Sequence, residues 1–331
     1  MLNFGHNPVL LKETLDYLAP KKGGTYLDGT LGRAGHTEAI LELIGPSGKM
    51  IVMDRDPEAI ETSKKRLENF KNVTFIQDNY SNMDQYVEKG EIDGILLDLG
   101  VSSPQIDDAS RGFSWTKEGP LDMRMGRETR DKKQETGKNK NESFPVSRFS
   151  QQKHPTAKDI LGTYSIQDLT KIFSEFGEER YARKIAMAIV NDRETAPFTM
   201  TKQLADMVFR VAPGNRDQKK SSVMRIFQAL RIEVNQELRA LETGLEKGLS
   251  LLRDGGRLVI ISFHSLEDRI VKQFFQREAK ACICPPEFPI CQCKHQAQLK
   301  ILTKKPVTAS TEELKANPRS ASAKLRAAVR T

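Results

Sequence analysis

Several short passages of this chain hold residues whose types and spacing can do chemistry. The first is Tyr26-Leu27-Asp28-Gly29-Thr30-Leu31-Gly32-Arg33-Ala34-Gly35-His36-Thr37, which reads as an apolar strand, a glycine-rich turn and a helix start. Such a turn aims backbone N–H groups and a helix N-terminus at an anionic ligand group. Its glycines fall as G-x-x-G-x-x-G, not as the G-x-G-x-x-G of a dinucleotide site, and an acid, Asp28, closes the strand. Both departures favour a methyl-donor site over a pyrophosphate site, because S-adenosylmethionine has no phosphate and carries an amino group and a sulfonium.

Asp54 ends the next strand pattern, 19 residues after Gly35. An acid there accepts both ribose hydroxyls of a nucleotide-like cofactor; the alternative is a helix cap within Asp54-Arg55-Asp56-Pro57. Tyr80 follows the third strand and either covers an adenine ring or packs on the domain surface. Asp98 emerges at the end of the fourth, in Leu97-Asp98-Leu99-Gly100-Val101-Ser102-Ser103-Pro104-Gln105. Ligands of open parallel sheets sit at these carboxyl ends, so Asp98 can hold a cofactor amine, accept an N–H from a substrate amine, or both; capping the following turn is its structural alternative. His264, after the fifth strand, can reach the same cleft and take a released proton, or it can order the helix that starts at Glu267-Asp268-Arg269. Cys282-x-Cys284 and Cys291-x-Cys293 offer four thiols on two short arms, either as zinc ligands or as reduced free thiols.

Alternating elements must position these groups. Strand patterns lie at Thr25–Asp28, Lys49–Asp54, Val73–Asp78 and Gly94–Asp98, with helical patterns at Gly35–Leu43, Pro57–Asn69 and Ser81–Glu88. In the second helix Ala59, Ile60, Ser63, Leu67 and Phe70 form one stripe, with Asp56 as cap and Pro57 near its first position. Strands alternating with helices predict βαβ units and a parallel sheet. The alternation then stops. Residues 127–158 carry nine Lys/Arg against four Asp/Glu and few large apolar side chains, a composition expected to be disordered; its charge also suits holding RNA. Residues 156–210 read as helices, and Arg225–Leu252 as one long helix with Leu230, Val234, Leu238, Leu241, Leu245 and Leu249 along a core stripe. Arg257–Phe263 is a buried-type strand, and a last strand is expected at Leu299–Thr303. The expected organisation is an α/β core over 1–106 and 213–331, interrupted by a helical subdomain over 107–212.

Composition sets the class of partner. Fifty-two Lys/Arg against 44 Asp/Glu give a net charge of +8 and a pI of about 9.2, which points to a polyanion such as nucleic acid. No apolar run approaches the roughly 18 residues of a membrane span. The first residues show no basic and apolar signal pattern. All four cysteines lie within Cys282–Cys293, whereas a disulfide framework would spread them, so a reducing cytoplasm is expected.

The chain resembles the bacterial 16S rRNA cytosine-N4 methyltransferase family (RsmH/MraW). The matching runs are His6-Asn7-Pro8-Val9-Leu10-Leu11, Asp28-Gly29-Thr30 to Gly35-His36, Met53-Asp54-Arg55-Asp56 and Gly94 through Gln105. They continue with Arg111-Gly112-Phe113-Ser114, Gly119 through Met125, Gly177-Glu178-Glu179-Arg180 and Phe227-Gln228-Ala229-Leu230-Arg231-Ile232. Ser262 through Arg269, Asn317-Pro318-Arg319 and Lys324-Leu325-Arg326-Ala327-Ala328 complete them. They cover nearly the whole chain, in order.

The resemblance implies a Rossmann-like class I methyltransferase sheet. It implies cofactor contacts at Ala34, Gly35, His36, Asp54, Tyr80, Asp98 and Gln105. The implied reaction carries methyl from S-adenosylmethionine to the N4 amine of a cytidine in the decoding region, on 16S rRNA or the small ribosomal subunit. That amine is a weak nucleophile conjugated into its ring, so the protein must position the base, accept an amine hydrogen bond and exclude water. Asp98, with His264 as a proton acceptor, is the catalytic candidate. Ser103-Pro104 resembles the Ser/Asp-Pro-Pro-aromatic motif of DNA amino-methyltransferases without its aromatic, which leaves base stacking to Phe113 or Trp115. Arg111, Arg124, Arg180, Arg183, Arg225 and Arg231 are candidates for gripping phosphates. The chain departs from the family in the 127–158 insertion, where relatives have a short linker, and not all relatives have the four cysteines. Two rival readings are a non-catalytic RNA-binding ribosome-assembly factor and an NAD-dependent oxidoreductase on the same fold; the second lacks its glycine fingerprint.

Overall fold

The computed structural model describes residues 8–126, 155–285, 288, 290–293 and 295–331. In chain order the elements are α1 (Leu11–Leu18), β1 (Thr25–Asp28), α2 (Gly35–Ile44), β2 (Lys49–Asp54), α3 (Pro57–Arg66), β3 (Val73–Gln77), a 3-10 turn at Tyr80–Gln85, and β4 (Ile92–Asp98). There follow α4 (Ser103–Asp107), α5 (Ala157–Thr163), α6 (Ile166–Glu175), α7 (Ala182–Arg193), α8 (Thr201–Val211) and α9 (Arg216–Asn235). The chain continues with α10 (Glu237–Leu251), β5 (Leu252–Ser262), α11 (Ser265–Glu278), β6 (Leu299–Ile301), α12 (Thr311–Ala316) and β7 (Lys324–Arg330). Among the described residues these form two compact units, one over 8–100 and 238–331, the other over 101–126 and 155–237.

The first unit is built on a seven-stranded sheet in the order β3-β2-β1-β4-β5-β7-β6. β1 to β5 are parallel, and β7 runs antiparallel between β5 and β6. The parallel strands are apolar at successive positions because both faces are covered. On β4, Ile95 and Leu97 join one core cluster and Leu96 the other; on β5, Leu258 and Ile260 divide from Val259 and Ile261 in the same way. The order reverses between β1 and β4, the switch point at which α/β sheets open a crevice. Register then puts three acids at neighbouring strand ends: Asp28 opposite Leu96, Asp54 opposite Gln77, and Asp98 opposite Ile261.

Local sequence explains the helices that support those ends. Asp56 caps α3 by accepting from the Glu58 N–H, Pro57 takes the first turn, and Lys64, Lys65 and Arg66 sit in the last, each favourable for the helix dipole and its unpaired ends. Among the described strands, β7 alone is absent from the sequence expectation. Its residues Lys-Leu-Arg-Ala-Ala are good helix formers, yet Leu325 and Ala327 are fully buried in the sheet core and Arg326 on the other face clasps Asp268 of α11 at 2.6 Å.

The second unit is helical. Its core gathers Ile160 and Leu161 of α5, Leu169 and Phe173 of α6, Ile185 and Ile189 of α7, Leu204 and Val208 of α8, and Val223, Ile226 and Leu230 of α9. Its limits differ from those read in the sequence. They fall at 100/101 and 237/238, not at 106/107 and 212/213, because the apolar face of α9 packs within this helical core. The single helix expected over Arg225–Leu252 is two helices. Gln236 adopts φ 50° and ends α9, its N–H donating back to Glu233 O and Ile232 O. Of the 127–158 stretch, residues 127–154 lie outside the described residues; Thr156 and Asp159 form the capping box that starts α5.

Candidate cofactor-binding site

The turn between β1 and α2 is clipped to both neighbouring strands. Gly29 N donates to Leu96 O at 3.0 Å and Leu31 N to Met53 O at 2.9 Å. Two residues in it adopt the left-handed conformation, Gly32 at φ 51° and Ala34 at φ 60°. Ala34 is also the N-cap of α2, and no side chain caps that helix end. The ten-residue helix therefore begins with backbone donors and the positive end of its dipole presented at the turn. Glycine is needed at Gly35 because a Cβ there would stand 2.5 Å from Pro8 Cγ, and at Gly29 because a Cβ would meet Leu97 Cδ2 at 2.4 Å and Tyr80 Cβ at 2.8 Å.

Hydrogen bonds tie the three strand-end acids to this turn. Asp28 is buried and accepts from Thr30 N at 3.0 Å and Thr37 Oγ1 at 2.6 Å. Thr30 Oγ1 in turn accepts the Asp98 N–H at 2.6 Å. Asp54 accepts from Gly32 N at 2.9 Å and from Asp56 N at 2.8 Å. Burial pushes the Asp54 carboxyl up to about 6 against those two N–H groups, which pull it down. Asp28 is raised by burial as well. Asp98 is raised well above the carboxylate range, first by burial and then by the Asp28 and Glu267 carboxylates. Its Oδ1 is buried without a hydrogen-bond partner.

His36 completes this wall. Its Nε2 lies 2.9 Å from Val9 O, and a carbonyl only accepts, so the ring proton sits on Nε2. Burial lowers the imidazole to about 4, with the Val9 carbonyl opposing that shift. The ring is therefore neutral near pH 7 and turns its Nδ1 lone pair towards Asp98 Oδ2, 3.7 Å away. That distance is too long for a hydrogen bond. Two acceptors thus flank one spot with an orphaned buried oxygen beside it, an arrangement that suits a cationic amine donor.

The structure places the remaining predicted residues as follows. Tyr80 opens the 3-10 turn after β3; its ring edge lies so close to Gly244 of α10 that a Cβ there would stand 2.6 Å from it. His264 is the N-cap of α11. Its Nδ1 accepts the Glu267 N–H at 3.4 Å, while its Nε2 is 3.2 Å from Glu267 Oε1 but lacks hydrogen-bond geometry. Gln105 lies in the second unit, where its Oε1 accepts the Ser102 N–H at 3.0 Å and closes the capping box of α4. Ala34, Gly35, His36, Asp54 and Asp98 are thus drawn together around one turn. Thr30, Thr37 and the Pro8–Leu10 segment, to which the sequence reading gave no separate role, support that turn; their signal lay in the Tyr26–Thr37 and His6–Leu11 runs.

Within the second unit several arginines already have partners. Arg111 is buried and donates to the carbonyls of Arg124 and Met125. Arg124 clasps Asp122 at 2.7 and 2.9 Å, Arg231 holds Glu237 at 3.0 and 2.9 Å, and Arg225 lies 3.5 Å from buried Glu179. Arg180 and Arg183 are exposed, and the Arg180 guanidinium stands 6.0 Å from the Tyr181 ring. Phe113 and Trp115 are half-buried against the helical core.

Comparison with known proteins extends this picture. A family model described as the MraW methylase family matches residues 3–143 and 132–331. The chain is 46% identical over 329 residues to a ribosomal RNA small subunit methyltransferase H of Halothermothrix orenii, covering 98% of each chain. It is 46% identical over 333 residues to proteins of the same description from Heliobacterium mobile and Trichlorobacter lovleyi, covering 99% of each chain.

Proposed function

The chain belongs to the MraW methylase family, and on that premise we propose that it moves a methyl group from S-adenosylmethionine to the N4 amine of a cytidine in the decoding region of 16S rRNA. One observation carries the donor half of this reading: the buried, partnerless Asp98 Oδ1 beside the His36 Nδ1 lone pair. Both groups accept from the amino group of the cofactor. The uncapped start of α2, at Ala34 and Gly35, faces its carboxylate. Asp54 accepts from the ribose hydroxyls, and Tyr80 lines the adenine.

Bound S-adenosylmethionine supplies a methyl carbon that N4 takes in line from the sulfonium, with loss of one N4 proton. Asp98 and His264 are the groups proposed to receive that proton: Asp98 because burial and like charge make its carboxyl basic, His264 at Nδ1, which must first give up the Glu267 N–H, since that bond leaves the ring's own proton on Nε2. The turn, the three acids and Pro8 hold the donor side rigid, so most of the rate advantage comes from alignment and exclusion of water.

The description of the relatives as ribosomal RNA small subunit methyltransferases supports the substrate, and the net charge of +8 supports a polyanionic partner. We place an RNA-facing role in the helical unit, with exposed Arg180 and Arg183 as phosphate contacts. Among the described residues no helix is long and apolar enough to cross a membrane, and the cytoplasm is the proposed site of action. Transfer of labelled methyl to small ribosomal subunits, followed by nucleoside analysis, tests the reading.

A further inference from the structure

Between Glu278, which ends α11, and Leu299, which begins β6, lies a connection that methyl transfer does not use. Its described residues hold no helix or strand, and long connections of this kind are uncommon inside a compact domain unless something organises them. The two ends are clasped, with Gln298 N donating to Glu278 O at 2.8 Å. Between them burial does little: Ile283, Phe288 and Ile290 are exposed.

The four thiols do the organising. Cys282, Cys284, Cys291 and Cys293 are all unbridged, and their Sγ atoms lie within 4.8 Å of one another. Cys282 and Cys291 are 3.4 Å apart, Cys291 and Cys293 3.6 Å, and Cys282 and Cys293 3.8 Å. A disulfide requires about 2.05 Å. One ion holding four sulfurs at about 2.3 Å in a tetrahedron sets each S···S separation near roughly 3.8 Å. An iron–sulfur cluster would divide its four cysteines among two or more irons and spread them further apart.

The backbone around the sulfurs is arranged for thiolates. Ile283 N donates to Cys293 Sγ at 3.4 Å and Gln292 N to Cys284 Sγ at 3.3 Å, so each arm donates to a sulfur of the other. Cys284 N and His295 N donate to Cys282 Sγ and Cys293 Sγ at 3.4 and 3.5 Å. Four N–H groups aimed at sulfur orient ligands and stabilise the negative charge that metal binding requires.

We propose that Cys282, Cys284, Cys291 and Cys293 bind a single Zn²⁺ in a closed, all-sulfur structural site. Four sulfur ligands select zinc among the common divalent ions, and with no coordination position left open the site staples the loop and does no chemistry. Uptake releases the remaining thiol protons, so it strengthens as pH rises.

The test is metal analysis of the full-length protein, produced without a histidine tag and purified without chelators. One zinc per chain is expected, together with thiol modification slowed by about tenfold or more relative to chelator-treated protein. The Cys282→Ser/Cys293→Ser variant should lose the zinc while retaining its helical circular dichroism. Cobalt exchange should give the visible bands of a tetrahedral thiolate site. A parent protein that carries no zinc and takes none up against a competing chelator overturns the proposal. So do a cysteine variant that keeps its zinc, and a purified protein whose metal is iron.

Discussion

His36 Nδ1 stands 3.7 Å from Asp98 Oδ2, and the imidazole turns a lone pair, not a proton, to the carboxyl, because its Nε2–H is given to Val9 O at 2.9 Å. The pair is not an ion pair: burial keeps His36 neutral at pH 7. Both groups are acceptors, one on the first turn of α2 and one at the end of β4.

An acid held among other acids for a ligand weakens the free protein. Asp98→Asn removes repulsion from Asp28 and Glu267. It should raise the melting temperature of the free protein by about 2–4 °C for each 1 kcal/mol relieved. The same change should weaken S-adenosylhomocysteine binding about tenfold or more, since a hydrogen bond to a charged group is worth about 1.5–3 kcal/mol. Thermal scans and calorimetric titration read both; an unchanged affinity contradicts the assignment of Asp98.

The pH dependence has a definite sign. Ribose hydroxyls and an ammonium donate, so they favour the ionised carboxylates. Asp54 is pushed up to about 6 and Asp98 is raised, so in acid the free site holds protons that binding must release. Affinity should therefore rise with pH through about 6, by up to roughly tenfold per pH unit for each proton released. Calorimetry in buffers of different ionisation enthalpy counts those protons; affinity that falls as pH rises contradicts the account.

Gly35→Ala tests the tight seat of the N-terminal segment. A Cβ 2.5 Å from Pro8 Cγ must displace that segment or the turn, at a cost of about 1–3 kcal/mol. The fold should survive with a lower melting temperature, while cofactor affinity falls about tenfold. Gly162→Ala is a suitable control for the glycine-to-alanine change alone, since Gly162 is helical and has nothing within 4 Å of an added Cβ.

His264→Asn separates proton transfer from capping. Asparagine is itself a good N-cap, so α11 should form and stability should stay within about 1 kcal/mol. If His264 takes the proton, the single-turnover rate falls about tenfold or more and one limb of the pH profile disappears. An unaltered rate and profile would leave that role to Asp98.

The strand-end acids were legible because apolar runs closing on Asp28, Asp54 and Asp98 advertise both the strand and the group it delivers. The turn was legible because its glycines answer to real close approaches, at Pro8, Leu97 and Tyr80. β7 was not, since its helix-forming residues are held extended by pairing with β5 (Ser262 opposite Lys324, Arg257 opposite Val329), and such non-local pairing leaves no local trace. The break between α9 and α10 was hidden for a similar reason. Gln236 takes a left-handed conformation usually signalled by glycine or asparagine, so the apolar stripe ran on through it. Gln105 looked like a ligand contact by resemblance, and its cap on α4 emerged only from the geometry.

The most direct measurement gives the purified protein and labelled S-adenosylmethionine to small ribosomal subunits from cells lacking the enzyme, with digestion and nucleoside analysis of the 16S rRNA. The account predicts label in N4-methylcytidine from the decoding region, abolished by Asp98→Ala. Label in another nucleoside, or no transfer by a protein that binds the cofactor normally, would contradict it.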